Sequence, residues 1–597
     1  MTTVREALAG RDRTLLAVLG VAALALALRL YRLGGRIMHW DEGRVGYWIL
    51  RYHETGQFHY RPIVHGPFLQ IVNDYVFAVL PPSDFAARLV VALVGGLFPL
   101  AALALRDRLR DDETVALAVV LAVNPVLVYY SRFMRNDVLV GAFAFVALAL
   151  AVHGLDRGRV AGVYAGAVAL ALAFASKENA LVYVVCFLGA GALLLDHRLL
   201  RRTAAGESPR AVLADWTGRV AARLRAWGGG GVETGATRVG AHAAGALVAF
   251  LAVVVFFYAP RPELWTALAT PAALPGVVTE ATLGSWQAFV GTWVGGPHQN
   301  HPYLPFLYDY LETLAFGAPA VLAFAAVGAV VAGYAEGRRD LVLFATYWGA
   351  VSVLGYPIAT DIRAPWATVH AVVPLAVPAA VGVAYCYRRA VAASTGDAAG
   401  DSAGAWSVGG GRRGSIATGG VVAALLVVAA ASGVAGANAV YMNSASDAQG
   451  ELLQYAQPEN ALKTTLDRRA RPAIRATDAG PAPDVLYYGT TSPGGNTLLY
   501  VANESSAAQP PVGGPNWHSR LPLPWYFERY GAEVTSTAPD ASLPADPPPV
   551  VVAYPWDRSE LEDQLPGYEV HEHRFRLWSE RVVVFVDRDA LRRAGVA

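Results

Sequence analysis

Long apolar runs constrain this chain more than any other feature of its sequence. A run of about 20 apolar residues is long enough to cross about 30 Å of hydrocarbon as a helix. We predict about eleven such spans, near 14–33, 85–105, 114–131, 138–154, 159–175, 180–195, 243–259, 312–333, 341–357, 367–387 and 417–437. Of the 597 residues, 54% are hydrophobic and only 16% are charged. The sequence therefore predicts a polytopic α-helical membrane protein.

The basic residues predict the orientation, because short cytoplasmic loops carry an excess of Lys and Arg. The basic loops, which all fall on the same side as the N-terminus, are 106–113, 156–159, 196–242, 336–340 and 387–415. From Ala259 to Leu311, in contrast, Arg261 is the only Lys or Arg. We therefore predict a cytoplasmic N-terminus and, with an odd number of spans, an extracellular C-terminus.

The C-terminal part of the chain has a different composition from the spans. Gly, Ser and Ala dominate 394–415, which indicates a flexible cytoplasmic linker over 391–416 before the last span at 417–437. Beyond it, short β-rich runs at 484–489, 549–554 and 581–586 alternate with the helix-like pieces PWYFERYG and RSELEDQL. This pattern predicts a small extracytoplasmic α/β domain over 438–597. Residues 1–390 then form the main membrane module, with outer loops 34–84 and 260–311.

Ionisable residues gather at the predicted outer boundary of the membrane. Asp41 and Glu42 follow the first span, Asp137 lies in the short loop 131–137, and Lys177 and Glu178 lie in the loop 175–179. Such residues either mark helix ends in the headgroup region or pair around a wet cavity. Because three loops bring them to one boundary, we favour a common site.

Arginines accompany these carboxylates against the positive-inside trend. Arg44 lies in the first outer loop and Arg135 in the second, and arginine suits a site that binds phosphate by bidentate hydrogen bonds. Residues 43–56 have the helical spacing of an amphipathic helix lying in the headgroups. Histidines 39, 53, 59 and 65 crowd the same loop. They match no metal-ligand motif, so we favour interfacial polar residues over a metal site.

Several segments together resemble a known superfamily. They are HWDEGRVGYWILRY (39–52), the His-Gly-Pro-Phe segment at 65–68, SRFMRNDVLVGAFAFVALAL (131–150) and ASKENALVYVV (175–185). They resemble integral-membrane glycosyltransferases of the GT-C superfamily, which include the protein O-mannosyltransferases and the aminoarabinose transferases. With IRAPWATVHAVVPLAVPA (362–379), the chain most resembles the archaeal flippase activity-associated proteins over about 390 residues. That branch leads us to expect a lysine before Pro-Trp, where this chain has Ala364.

The resemblance implies a glycosyltransferase, of hexosyltransferase type, that uses a dolichyl (polyprenyl) phosphate-linked sugar donor. The acceptor would be a protein or a lipid-linked glycan on the extracytoplasmic face. Asp41 would be the catalytic base of an inverting reaction, with Glu42 beside it and Asp137 as the second acidic-loop residue. The expected substrate or phosphate contacts are Arg44, Arg135, Lys177, Glu178, Arg363, Trp366 and His65. A metal is optional; bound by Asp41 and Asp137, it would be a hard ion such as Mg²⁺ or Mn²⁺.

Two other functions remain open from the sequence. A flippase or transporter would also have many spans and buried charge, but it typically shows internal repeats and binds at mid-membrane. A non-catalytic accessory protein for a lipid-linked saccharide flippase would keep the fold and tolerate loss of the acidic residues. The sequence has no evident repeat, and its ionisable residues lie at one boundary, which favours the enzyme. The net charge of +1 gives no support for nucleic-acid binding.

Overall fold

The computed structural model describes residues 12–294, 302–334, 339–360, 363–395, 433, 457–477, 482–504, 515–575 and 581–596. The predicted last span at 417–437, apart from residue 433, and the predicted linker beyond 395 lie outside these residues. The preceding helix continues to Thr395, past the boundary predicted at 390.

The described part of residues 12–395 is almost entirely helical. Its helices are α1 Arg13–Leu30, α2 Trp40–Thr55, α3 Phe68–Val79, α4 Asp84–Leu97, α5 Asp111–Val123, α6 Pro125–Tyr130, α7 Asp137–Arg157, α8 Val160–Ser176, α9 Ala180–Ala204, α10 Pro209–Gly228, α11 Val232–Tyr258, α12 Glu263–Ala269, α13 Leu274–Thr279, α14 Ser285–Phe289, α15 Tyr303–Gly317, α16 Pro319–Tyr334, α17 Asp340–Ala359 and α18 Val369–Thr395. The 3₁₀ segments Phe98–Leu105 and Pro365–Thr368 extend α4 and precede α18.

Within the described residues, seven helices are long and apolar enough to cross a membrane, and an eighth span is formed if the bent pair α15 and α16 counts as one. The predicted span at 114–131 is instead two helices, because Asn124 ends α5 and caps α6 with its side chain while Pro125 begins α6. The predicted span at 312–333 bends by 94° where Pro319 begins α16. The fifth predicted span, α8, has 17 residues.

The C-terminal residues form the predicted α/β domain. Its elements are α19 Asn460–Thr465, α20 Arg471–Arg475, β1 Val485–Tyr487, β2 Thr490–Thr491, β3 Thr497–Leu498, α21 Leu523–Tyr530, β4 Val534–Ser536, β5 Val550–Ala553, α22 Arg558–Gln564, β6 Tyr568–Arg574, β7 Arg581–Asp587 and α23 Arg588–Arg593. The main sheet has the order β4-β1-β5-β7-β6. Strand β1 runs parallel to β4 and β5, whereas β7 is antiparallel to β5 and β6. The three predicted β-rich runs supply β1, β5 and β7.

The C-terminal domain packs directly on helix α2. A Cβ added at Gly43 would lie 2.7 Å from Pro522 Cα, and one added at Gly46 would lie 2.6 Å from Trp525 Cε3. Only the lack of side chains at these two positions permits so close an approach. Because α21 covers it, residues 41–50 of α2 are all buried. The amphipathic helix is therefore present, but it is enclosed by protein rather than lying in the headgroups.

Polar contacts strengthen the same interface. Asp84, at the start of α4, accepts hydrogen bonds from Trp525 Nε1 at 2.9 Å and from Arg529 Nη1 at 2.7 Å, and it also pairs with Lys463. The backbone N–H of Met38 donates to Tyr526 Oη at 2.9 Å. The C-terminal domain thus lies at the end of the helix bundle that carries Asp41.

Candidate active site

The first turn of α2 holds the acidic pair in a defined orientation. His39 is the N-cap, and the Glu42 carboxylate accepts from the His39 backbone N–H at 3.0 Å, which completes a capping box. His39 Nδ1 accepts in turn from the Asp41 backbone N–H at 3.1 Å. Burial lowers the pKa of His39 to about 4, so the ring is neutral at pH 7.

Asp41 is buried between two arginines. Its Oδ1 accepts from Arg44 Nη2 at 2.9 Å, and its Oδ2 pairs with Arg135 Nη1. Burial alone would raise the pKa of this carboxyl, but the charges of Arg135 and Arg44 outweigh burial and lower the pKa to about 2. Asp41 is therefore a carboxylate at physiological pH.

Glu42 has a different environment from its neighbour. Arg88 binds both of its oxygens at 2.7 Å, and the Met134 backbone N–H donates to Oε1 at 2.7 Å. The side chains of Glu42 and Arg88 are both 0% exposed. Although burial opposes ionisation, Arg88 and Arg36 lower the pKa of Glu42 to about 2. With this many donors on its two oxygens, Glu42 fixes the first turn of α2 against α4.

Asp137 begins α7 and contacts Arg135 from its own loop, Lys177 from the next loop and His370 from α18. Its Oδ1 accepts from Lys177 Nζ at 2.7 Å and lies 3.3 Å from His370 Nε2, while its Oδ2 accepts from Arg135 Nε at 3.0 Å. Arg135 therefore bridges Asp41 and Asp137. We refer to Asp41, Arg135, Asp137 and Lys177 as the bridged network.

An aromatic side chain covers Arg135. The guanidinium carbon lies 3.8 Å from the centroid of the Trp366 ring, which is a cation–π contact. The rings of Trp366 and His39 are nearly perpendicular, at 78°, with 6.0 Å between their centroids. Trp366 lies in the 3₁₀ turn Pro365–Thr368, so the segment before α18 closes one side of the network.

His65 and Glu178 extend the site on the other side. His65 Nε2 lies 3.5 Å from Arg135 Nη2, and its Nδ1 lies 3.5 Å from Glu178 Oε2. Tyr60 donates to Glu178 Oε1 at 2.6 Å. Burial and the charge of Lys177 lower the pKa of His65. The structure thus brings together nine of the ten candidates from the sequence.

Arg363 is the candidate that lies elsewhere. Its Nη1 pairs with Asp309 Oδ2 at 2.8 Å, and the two side chains are 45% and 40% exposed. Sequence reasoning also missed Arg88, which was hidden within an apolar span, although a single arginine at membrane depth is itself a signal of a buried partner. His370, in α18, hydrogen-bonds Asn179 and Tyr183 and lies 3.3 Å from Asp137 Oδ1.

The donor set does not fit the optional metal. Both oxygens of Asp41 and both oxygens of Asp137 already contact cationic or imidazole groups, and the positive Arg135 lies between the two carboxylates. Within the described residues, no group of three or more His, Cys, Asp and Glu side chains is arranged to hold a metal ion.

Two cavities border the site. The larger, of about 770 Å³, lies between α2, residues 57–63 and the C-terminal domain. The smaller, of about 220 Å³, has mostly apolar walls and reaches Glu178 and Tyr60. Its other lining residues are Phe174, Leu181, Leu251, Val254, Tyr258, Ala281, Thr282, Ser285, Trp286 and Phe289.

Comparison with solved structures shows the fold. The structure of ArnT from Cupriavidus metallidurans bound to undecaprenyl phosphate covers 96% of this chain and 98% of its own, with a TM-score of 0.51 and 15% identity. The apo state of ArnT covers 97% and 98%, with a TM-score of 0.50 and 15% identity. This chain is therefore a multi-pass membrane protein with the GT-C fold.

Two family models match separate parts of the chain. Residues 64–209 match the dolichyl-phosphate-mannose-protein mannosyltransferase family, and residues 462–587 match the Agl23 flippase-associated protein C-terminal domain. Both resemblances predicted from the sequence are thereby confirmed, with the Agl23 match lying in the C-terminal domain and not in the first 390 residues on which that resemblance was based. A comparison with curated protein sequences gives no match.

Proposed function

We propose that this protein is an inverting hexosyltransferase that moves a sugar from a dolichyl (polyprenyl) phosphate-linked donor to a protein or lipid-linked glycan on the extracytoplasmic face. The observation that carries the proposal is the bridged network, in which two carboxylates and two cations from three loops meet in a buried site. The catalytic residue is Asp41. Asp137, Arg135 and Lys177 prepare the site for the donor phosphate.

The donor phosphate competes with Asp137 for two cations, Arg135 and Lys177. Arg135 offers a planar fork that matches a phosphate, and Lys177 adds a point charge. The smaller cavity, with its apolar walls and its polar end at Glu178 beside Lys177, is suited to a prenyl chain whose phosphate reaches the network. ArnT was solved with undecaprenyl phosphate bound, which agrees with this class of ligand.

Binding of the phosphate also activates the base. With its pKa held at about 2, Asp41 is a weak base, because efficient proton transfer needs a pKa nearer the working pH. When Arg135 turns to the phosphate, Asp41 loses its strongest positive neighbour and its pKa rises. Asp41 then takes the acceptor hydroxyl proton as that oxygen bonds to the anomeric carbon. The bond from this carbon to the phosphate oxygen breaks, and polyprenyl phosphate leaves, stabilised by Arg135 and Lys177.

Glu42 acts as a positioning residue in this proposal. Its oxygens are bound by Arg88 and by two backbone N–H groups, so they are directed away from substrate. Their contribution is to hold the first turn of α2, and hence Asp41, against the bundle.

An accessory role for a lipid-linked saccharide flippase is the second candidate. The observation consistent with it is the match of residues 462–587 to the Agl23 flippase-associated domain. In that role the protein binds lipid-linked saccharide without transferring the sugar, and neutralising Asp41 leaves its function intact.

Sugar transfer by the purified protein tests the proposal. The wild type is incubated in detergent with a panel of synthetic dolichyl-phosphate hexoses and acceptor glycans, beside Asp41→Asn and, as a matched control, Asp111→Asn. Asp111 has a 73% exposed side chain and lies outside the network. We expect transfer by the wild type and the control, and at least a hundredfold loss in Asp41→Asn. Folded wild-type protein that transfers from no donor would favour the accessory role.

A further inference from the structure

Helix α10 joins two membrane helices at the end of the bundle opposite to Asp41. The preceding helix, α9, begins three residues after Lys177 and runs for 25 residues, or about 37 Å. The following helix, α11, ends at Tyr258, whose Oη donates to the Phe174 carbonyl oxygen at 2.8 Å, three residues before Lys177. Both helices therefore place α10 far from the reaction centre, and the mechanism above does not use it.

The first half of α10 is held just beyond the end of a membrane helix. Asp215 pairs with Arg202 of α9. Arg202 lies one helical turn, about 6 Å, beyond Arg198. Arg198 Nε in turn donates to Asp340 Oδ1 at 3.0 Å, where the span α17 begins.

The last turn of α10 is held at a similar depth. The Trp227 carbonyl oxygen accepts from Arg238 Nη1 of α11 at 2.9 Å. Arg238 lies one turn, about 6 Å, before His242, whose Nδ1 lies 3.4 Å from Tyr164 Oη near the start of α8. Because both contacts reach one turn beyond the ends of neighbouring helices, α10 lies across these ends and not parallel to the spans.

One face of α10 exposes apolar side chains. Leu213 and Val220 are 50% and 59% exposed, and at about 100° per residue they lie within about 20° of each other around the helix. The half-buried Trp216 and Trp227 continue the same helical spacing. Leu200 of α9, between Arg198 and Arg202, is also exposed, so the apolar surface continues onto a membrane helix.

Arginines flank this face on both sides. Residues 209–228 contain four arginines and one acidic residue, Asp215, which pairs with Arg219 and Arg202. The exposed Arg210 and Arg223 each lie three residues from an exposed apolar side chain, about 60° to opposite sides of it. Within the part of the chain that the structure describes, neither Arg210 nor Arg223 has an ion pair.

This arrangement matches a helix that lies in the interface of a bilayer. Such helices bury an apolar face at the acyl boundary and carry basic residues that attract anionic lipid. Arginine can rest its apolar stem on the same surface while its charged head reaches the headgroups. Tryptophan is enriched at this depth.

We propose that α10 is a surface-lying helix that binds anionic phospholipid on the membrane face opposite to Asp41. Leu213 and Val220 lie at the acyl boundary, and Arg210 and Arg223 contact the headgroup phosphates. This site is separate from the donor site, and the proposal does not depend on sugar transfer.

The depth of spin labels in the full chain, reconstituted in vesicles, tests where α10 lies. Labels are placed at Val220→Cys and at Gly218→Cys, an open position about 160° away around the helix. The native Cys186 and Cys386 are buried, and labelling of the wild type measures their background. We expect the label at 220 to be relaxed more by oxygen than by a water-soluble nickel complex, and the label at 218 to show the reverse. Leu213→Cys repeats the measurement if Val220→Cys does not fold.

Local lipid enrichment tests the choice of headgroup. A fluorophore at Val220→Cys is quenched by phosphatidylglycerol or phosphatidylcholine carrying the same quencher on its acyl chain. We expect at least about fivefold enrichment of phosphatidylglycerol, since an arginine near the surface contributes about this factor. Arg210→Gln with Arg223→Gln should abolish the enrichment. The matched control, Arg468→Gln with Arg588→Gln, removes two exposed arginines of the C-terminal domain and should keep it.

Three results would overturn the proposal. A label at 220 that the nickel complex reaches as readily as it reaches 218 would place this face of α10 in water. A label at 220 shielded from both reagents would show that protein covers the face. Equal quenching by the two lipids, or a preference that survives the loss of Arg210 and Arg223, would remove the anionic lipid site.

Discussion

The close packing of the C-terminal domain on α2 gives a prediction that can be calculated from the structure. In Gly46→Ala, the new Cβ would lie 2.6 Å from Trp525 Cε3, whereas ordinary contacts are 3.4–4 Å. The indole ring is held by its hydrogen bond to Asp84, so α2 and α21 must separate by about 0.8 Å. Overpacking of this kind typically costs about 1–3 kcal/mol.

The control is Gly218→Ala on α10, where nothing lies within 4 Å of the added Cβ. In that helix, alanine should stabilise by up to about 1 kcal/mol through its higher helix propensity. Hydrogen exchange of the peptides covering 40–55 and 523–530 measures local opening of the interface. At tenfold per 1.4 kcal/mol, exchange in Gly46→Ala should be about 5 to 150 times faster than in wild type.

A second substitution makes this prediction specific. Trp525→Leu removes the ring that the new methyl group would contact. Introducing Trp525→Leu into Gly46→Ala should therefore lower the stability of the interface less than introducing it into the wild type. If Gly46→Ala exchanges no faster than Gly218→Ala, then α21 does not pack on α2 at this distance, and the burial of α2 by the C-terminal domain is wrong.

Three further predictions follow from the buried charges. Glu42→Gln should lower the free energy of unfolding by about 3–5 kcal/mol, because it leaves the Arg88 charge buried without its carboxylate; chemical denaturation measures this, and a loss below 1 kcal/mol would contradict it. Because the pKa values of Asp41 and Glu42 are lowered to about 2, their contribution to stability should be constant above about pH 5 and be lost as pH drops toward 2, so the difference in melting temperature between wild type and Asp41→Asn should shrink only below about pH 5; a difference that has vanished already at pH 6 would contradict the ion pairs. Arg135→Lys should reduce sugar transfer at least tenfold in protein that is still folded, since lysine cannot bridge two carboxylates; unaltered transfer would remove Arg135 from the phosphate site.

Hydropathy and motif resemblance predicted much of the fold from local sequence. Apolar runs identified most of the membrane helices, and the β-rich composition of residues 484–489, 549–554 and 581–586 identified three strands of the terminal sheet. The breaks at Asn124 and Pro319 were missed, because average hydropathy over a span does not register a single capping side chain or a proline at a helix start.

The candidate site was predicted in part for a physical reason. Asp41, Asp137 and Lys177 stand out because charge at the membrane boundary is expensive wherever it occurs. The separation of roles within the acidic pair could not be predicted, since it depends on Arg88, which reaches Glu42 from 46 positions along the chain. The burial of α2 depends in the same way on contacts with the C-terminal domain.

The most direct measurement of the central claim is the affinity for polyprenyl phosphate, compared with uncharged polyprenol, in Lys177→Met and Arg363→Met. Both positions were phosphate candidates from the sequence, but only Lys177 lies in the bridged network. Asp137 keeps its contact with Arg135 when Lys177 is replaced. We predict that Lys177→Met weakens polyprenyl phosphate binding at least tenfold and leaves polyprenol unchanged, while Arg363→Met matches wild type. The opposite pattern, with Arg363 required and Lys177 dispensable, would contradict the assignment of the bridged network as the donor phosphate site.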